Sequence, residues 1–440
     1  MKKIKTYKGQ KLYKFAKKII SNGNMLLSKK PEMFLPNKWP AYFKKTNGCL
    51  VWDLDGNKYY DMSLMGVGTN VLGYNDKDVD LAVTKAVKSG NMSTLNCPEE
   101  VILAKKMISI HPWAGKVKFA RTGGEANSIA IRIARASTNK TNVAICGYHG
   151  WHDWYLATNL QSNKNLNKHL ISGLKIKGVP KNLKDTVFPF NYNDFNYLKK
   201  IIEEKKIGII CMEVIRNFKP EQNFLKKVRS LANRKNIILI FDECTTGFRQ
   251  NFGGIHKTYN VNPDLAVFGK ALGNGYAITA VIGKDKYMKN TDETFISSTF
   301  WTEKIGYAAA ISTLNKMKKI KSWKIIKSNG EYILKKFKKL DKKFDFNLNI
   351  QGIPSLCSFT IDSKNWPKYK LFIIQEMLKE GFLATNSIYT CVKHNKKIID
   401  KYFKVLEKLF YMIDLFEKKI KDVNKSINFS NYPKKFGRLN

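Results

Sequence analysis

The sequence predicts an α/β protein, a mostly parallel central sheet joined to a smaller α+β domain. Three observations predict it. From residue 98 onward, short apolar runs alternate with amphipathic helical stretches, the pattern of a parallel sheet covered on both faces. Past residue 303 this rhythm gives way to long helices. The apolar runs also end on glycine, charged or hydroxyl residues, at the strand ends where open α/β sheets bind ligands.

Taken in order, the basic start, "MKKIKTYKGQKLYKFAKKII", has Leu12, Phe15, Ala16 and Ile19 at helical spacing, so an amphipathic helix is expected there. No apolar signal core or small-residue cleavage site follows, so no signal peptide is expected. In "CLVWDLDGNKYYD" (49–61) a DG pair lies between apolar and aromatic residues, which predicts a hairpin. Strands are then expected at 116–120, 142–146, 207–214 and 237–243, with two more in "DLAVFGK" and "ITAVIG". Helices are expected between them, beginning "EEVILAKK", "GEANSIAI", "DFNYLKKI" and "FLKKVRSL". Long helices follow at 303–319, 321–340, 366–380 and 396–421, with a small sheet around "PSLCSFTID" (354–362). The domain reading is an N-terminal segment 1–74 packing with the small domain, a large domain 75–310 and a small domain 311–440.

At 440 residues the chain is long enough for two or three cores. A 43% hydrophobic and 12% aromatic content excludes a disordered chain. No apolar run is long enough to span a membrane. The seven cysteines are scattered without a C-x-x-C, which fits free thiols in a reducing cytoplasm rather than a disulfide framework or a metal site. The formal charge of +43 raises the prospect of a polyanion partner. Yet only eight of the 78 basic residues are arginine, and the lysines spread over helix faces. Bidentate base readout leans on arginine, so no specific nucleic-acid partner is expected.

The chemistry concentrates at the strand ends. After "KVKFA" come Arg121, Thr122, Gly123 and Gly124, opening a helix whose free N–H groups form a phosphate cradle. Tyr148 and His149 follow "NVAIC", Glu213 follows "IGIICM", Asp242 and Cys244 end "IILIF", and Lys270 follows "LAVFG". Singly, each has a plain structural role: a tight turn, a core tyrosine, a salt-bridged or helix-capping aspartate, a snorkelling lysine. Jointly they are the parts of a pyridoxal phosphate (PLP) site: a phosphate cradle, an aromatic plate, an anion for the ring nitrogen and an amine to hold the aldehyde.

The chain resembles the class III aminotransferases of PLP fold type I, and within them most the glutamate-1-semialdehyde 2,1-aminomutase-like branch. The resemblance is carried by "VWDLDGNKYYDMSLMGVGTNVLGY", "FARTGGEANSIAIRIAR", "GYHGWHDWY", "FDECTTGFR" and "VFGKALGNGYAITAVIG". It implies that Lys270 is the Schiff-base lysine and proton shuttle, and that Asp242 pairs with the ring nitrogen. Tyr148 and Cys244 would cover the two ring faces, with His149 beside the cofactor. Thr122, Gly123 and Gly124 would hold the phosphate, although the family usually has a hydroxyl residue where Gly124 stands. Thr299 would reach the phosphate of a neighbouring subunit, implying a homodimer with a shared site. Glu213, Arg216 and Asn217 would orient the ring hydroxyl or the substrate.

Two departures bear on the reaction. Asn386 stands near the position of the aminomutase gating acid, and Val67 stands where an aromatic residue is expected. Both favour intermolecular transamination, with glutamate as the expected donor and a keto or aldehyde acceptor, over the aminomutase reaction. The cluster Trp151, His152 and Trp154 suits a hydroxylated, sugar-like acceptor of a surface-polysaccharide or nucleotide-sugar pathway. A polyanion-binding protein on a retired enzyme scaffold is the rival from another class, disfavoured by the complete Lys270, Asp242 and Tyr148 set.

Overall fold

The computed structural model of the protein describes residues 7–162, 164–167, 176–344 and 346–427. Two compact units divide the described residues: 77–324 form one, and 7–76 join 325–427 in the other. The boundary thus lies beyond the expected residue 310. The helix Lys304–Ile320 explains the shift, because it packs on the helices Lys77–Lys88 and Pro98–Ile110 of the large unit.

The large unit is built on a seven-stranded sheet: β1 (Lys116–Ala120), β2 (Val143–Cys146), β3 (Val187–Pro189), β4 (Ile209–Glu213), β5 (Ile238–Asp242), β6 (Leu265–Phe268) and β7 (Thr279–Gly283). Its order is β1-β7-β6-β5-β4-β2-β3. β2 to β6 pair in parallel, while β7 runs antiparallel between β1 and β6. Every residue of β2, β4, β5, β6 and β7 is buried, as their mainly apolar sequences require of strands covered on both faces. The helix Gly123–Thr138 lies on this sheet through Ala126, Ile129, Ala130, Ile133 and Ala134. β3 was not expected from the sequence, being only three residues long and ending on proline.

In the other unit, four short strands pair around the predicted hairpin, with Phe382–Leu383 parallel to Lys58–Asp61. A three-stranded antiparallel sheet joins Leu348–Ile353, Leu356–Ile361 and Ser387–Tyr389. The core packs Phe337, Phe359, Tyr369, Tyr402 and Phe410 with Leu35 and Trp39 of the N-terminal stretch. The first helix, Tyr7–Ile19, forms as expected, but of the expected stripe Ala16 is buried, together with Gly9 and Tyr13, while Leu12, Phe15 and Ile19 are exposed. Tyr13 turns its hydroxyl onto Glu32, which fixes that rotation. No helix among the described residues is long and apolar enough to cross a membrane. All seven cysteines are free thiols.

Candidate active site

The parallel strands deliver their last residues to one edge of the sheet, and the register sets them side by side: Glu213 opposite Asp242, and Asp242 opposite Val267. Asp242 is buried, which would be costly for a lone carboxylate. Its Oδ2 accepts from His149 Nδ1 at 2.8 Å and from Asn127 Nδ2 at 2.9 Å, and its Oδ1 from the Cys244 amide at 3.0 Å. Burial pushes its pKa up, but His149, Cys244 and Asn127 outweigh burial and hold it below the usual carboxylate value. His149 therefore acts on the carboxylate through Nδ1. Asn127, which sequence reasoning missed, had one signal: it is a polar residue on the buried face of an otherwise apolar helix.

Lys270 heads the turn after β6 with φ +24°, and its Nζ donates to Thr245 Oγ1 at 2.6 Å. Thr245 is itself fixed. The buried Arg249 donates from Nε to the Thr245 carbonyl at 2.6 Å. Glu243 ties down the same loop, accepting from the His256 amide and ring at 2.9 Å each and from Thr246 Oγ1 at 2.5 Å. Neither Thr245 nor Arg249 stood out in the sequence.

Thr122 caps the helix Gly123–Thr138 in a capping box with Glu125. Glu125 Oε2 takes the amides of Arg121 and Thr122 at 3.1 and 2.7 Å, and the amides of Gly123 and Gly124 follow in the first turn, where helix N–H groups have no partner within the helix. Cys244 Sγ lies 3.3 Å from where a Gly123 Cβ would be and 3.1 Å from a Gly269 Cβ, so it fills the space between the Gly123–Gly124 turn and the Lys270 turn. Burial raises its pKa well above the usual thiol value and keeps it neutral. Thr279, at the start of β7, donates to the Thr122 carbonyl at 3.4 Å.

Tyr148 is partly buried, its amide donating to Glu213 Oε2 at 3.3 Å and its ring edge-on to Tyr155. Arg216 is buried and Asn217 half-buried just past β4. Trp151 is 69% exposed and stacks on His152 with ring centroids 4.6 Å apart. Thr299 is exposed at the start of a 3-10 turn. That turn is clamped by Arg121, whose Nη2 donates to the Trp301 and Glu303 carbonyls at 2.9 and 2.8 Å and whose Nε meets Glu303 Oε1 at 2.9 Å. Asn386 belongs to the other unit, where its Nδ2 donates to the Phe359 carbonyl at 3.3 Å. Val67 lies in the same unit with φ +61°, a left-handed conformation uncommon for a β-branched residue.

These residues fit PLP: an ionised buried carboxylate, a lysine on a rigid loop, and glycines that leave room against a helix N-terminus. The fold is that of PLP-dependent transferases of fold type I. A family model described as aminotransferase class-III matches residues 36–401, and the chain belongs to that family of PLP-dependent transaminases. It is 33% identical over 378 residues to a 3-aminobutyryl-CoA aminotransferase of Cloacimonas acidaminovorans, covering 84% of this chain and 87% of the relative. Over 434 residues it is 28% identical to a glutamate-1-semialdehyde 2,1-aminomutase of Methanocaldococcus jannaschii, covering 92% and 99%. Among solved structures, the FumI protein of Sphingopyxis sp. MTA144 in its PLP form matches with a TM-score of 0.83 at 20% identity, covering 95% of this chain and 99% of that one.

Proposed function

We propose that this transaminase works between two molecules, taking an amino group from a donor such as glutamate and giving it to a keto or aldehyde acceptor with hydroxylated, sugar-like character. When bound, PLP supplies an electron sink for the carbon that carries the transferred nitrogen. The chain's own residues do the rest. Asp242, held by His149 and Asn127, keeps a negative charge at the ring nitrogen. Lys270 holds the cofactor and moves the proton, with Thr245 receiving its amine when it is free. Tyr148 and Cys244 enclose the ring, Gly123 and Gly124 receive the phosphate, and Glu213, Arg216 and Asn217 orient the ring hydroxyl or the donor.

The observation that carries intermolecular transfer is Asn386. In the sequence an amide stands near the position of the acid that would gate the aminomutase reaction, and its side chain is engaged with the Phe359 carbonyl. The exposed indole of Trp151 offers an apolar face of the kind that covers sugar rings. A second reading comes from the relative named for 3-aminobutyryl-CoA: its ketone counterpart is a 3-oxoacyl thioester. The shared site of a homodimer is part of the proposal, since Phe300 beside Thr299 is 67% exposed and Phe295 89%. The test is a panel of keto sugars, 3-oxoacyl thioesters, simple aldehydes and glutamate-1-semialdehyde against the pyridoxamine form, read by return of the PLP absorbance. A keto sugar should react fastest. Rapid reaction confined to the thioester selects the second reading, and 5-aminolevulinate formed from the semialdehyde overturns intermolecular transfer.

A further inference from the structure

The Gly123–Gly124 turn offers amides but no side chain at its second position, and the structure shows what stands there instead. A Cβ built on Gly124 would lie 2.8 Å from His152 Nδ1 and 2.7 Å from His152 Cε1. The imidazole thus fills the volume that a side chain at residue 124 would occupy. Its approach depends on a second glycine: a Cβ on Gly150, which has φ +111°, would come within 2.9 Å of Gly124 Cα. Gly124, Gly150 and His152 therefore fit one another, and no larger residue at 124 or 150 leaves the ring where it is.

His152 is held from three sides. Its ring stacks on Trp151, and its carbonyl accepts the amides of Tyr155 and Leu156 at 3.0 and 3.1 Å, starting the short helix Asp153–Leu156. Nδ1 is buried and meets no hydrogen-bonding partner among the described residues. A buried, unsatisfied ring nitrogen is costly and normally finds a partner. This one stands beside the amides that receive an anion. We propose that His152 is a phosphate-binding residue of the cofactor site, its Nδ1–H donating to a phosphate oxygen where residue 124 supplies no hydroxyl. The role differs from contact with the acceptor, since the nitrogen faces the turn. The inference rests on the phosphate lying on the Gly123–Gly124 turn.

The test uses the full-length apoprotein, titrated with PLP and with pyridoxal, which lacks the phosphate. Four forms are compared: wild type, His152→Ala, Gly124→Ser and the double variant. Wild type should bind PLP far more tightly than pyridoxal. His152→Ala should lose about 10- to 100-fold in PLP affinity, the range of one charge-assisted hydrogen bond, with pyridoxal affinity changed less than about threefold. Gly124→Ser alone should also weaken PLP, because its side chain collides with the ring. In the double variant the serine gains both room and a hydroxyl, and most of the affinity should return. That rescue also separates a lost contact from a damaged fold. PLP affinity unchanged in His152→Ala, equal losses for PLP and pyridoxal, or no rescue in the double variant each overturns the role of His152. Wild type that binds pyridoxal as tightly as PLP instead overturns the placement of the phosphate.

Discussion

His149 Nδ1 lies 2.8 Å from Asp242 Oδ2, with both side chains closed off from solvent. Burial alone disfavours a charged imidazole, but Cys211 and Asp242 beside it raise the His149 pKa well above its usual value. Asp242 moves the opposite way. The contribution of Asp242 to stability is complete above the ordinary carboxylate range and is lost as pH falls through its lowered pKa. The contribution of His149 is complete below the ordinary imidazole pKa and is lost as pH rises through its raised one. The pair therefore stabilises the apoprotein most between about pH 4 and 6.5. His149→Gln should remove the decline on the alkaline side, read from melting temperatures across that range and above. An unchanged alkaline decline in the variant would show that the pair is not its source.

Lys270→Ala should abolish turnover, because this is the amine brought to the strand ends beside Asp242 and Cys244. Borohydride reduction of the holoprotein followed by peptide mapping should find the cofactor on Lys270. A label on any other lysine overturns the assignment.

Asp242→Asn nearly keeps the shape of the site but removes the charge that stabilises a protonated ring nitrogen. The half-reaction with an amino donor should slow by orders of magnitude, with a modest loss of cofactor. A rate close to wild type would mean that Asp242 is not the ring partner.

Thr245 touches the lysine amine, so its loss should be felt in turnover and little in substrate affinity. Thr245→Val should lower kcat about tenfold, the worth of about one hydrogen bond, with KM nearly unchanged. Thr245→Ser keeps the hydroxyl and should recover most of the rate. Equal damage in both variants would point to packing instead of the Lys270 contact.

The shared site can be tested by mixing inactive subunits. Lys270→Ala and Thr299→Asp chains should each be inactive alone. In a mixed dimer, one site collects both lesions and the other neither, so partial activity should return. A verified mixed dimer of folded chains without activity excludes the contribution of Thr299 across subunits.

Much of this was legible in the sequence because buried parallel strands are written as plain apolar runs, and those runs end on the residues that do chemistry. β4 and β5 appear within a residue or two of their expected ends, and Asp242 follows from them. Legibility failed where a role depends on partners distant in the chain. Asn127 lies 115 residues from Asp242. Arg121 clamps a turn some 180 residues onward, which no local pattern announces. The first helix was misjudged for the same reason: Tyr13 is drawn inward by Glu32, outside the window in which helical periodicity operates. Gly124 read as a missing contact because the sequence does not show that His152 occupies its space.

The antiparallel course of β7 has a mechanical consequence. Its first residue, Thr279, is bonded to Thr122 of the Gly123–Gly124 turn, and its ladder with β6 begins at Phe268, the base of the Lys270 turn, and runs away from it to Leu265. Cys244 wedges between the two turns, so both ends of the proposed cofactor seat are anchored in one continuous slab. A change at either turn is therefore transmitted to the other through backbone already held in the sheet, so substitutions at Thr279 should be felt at both ends of the proposed seat.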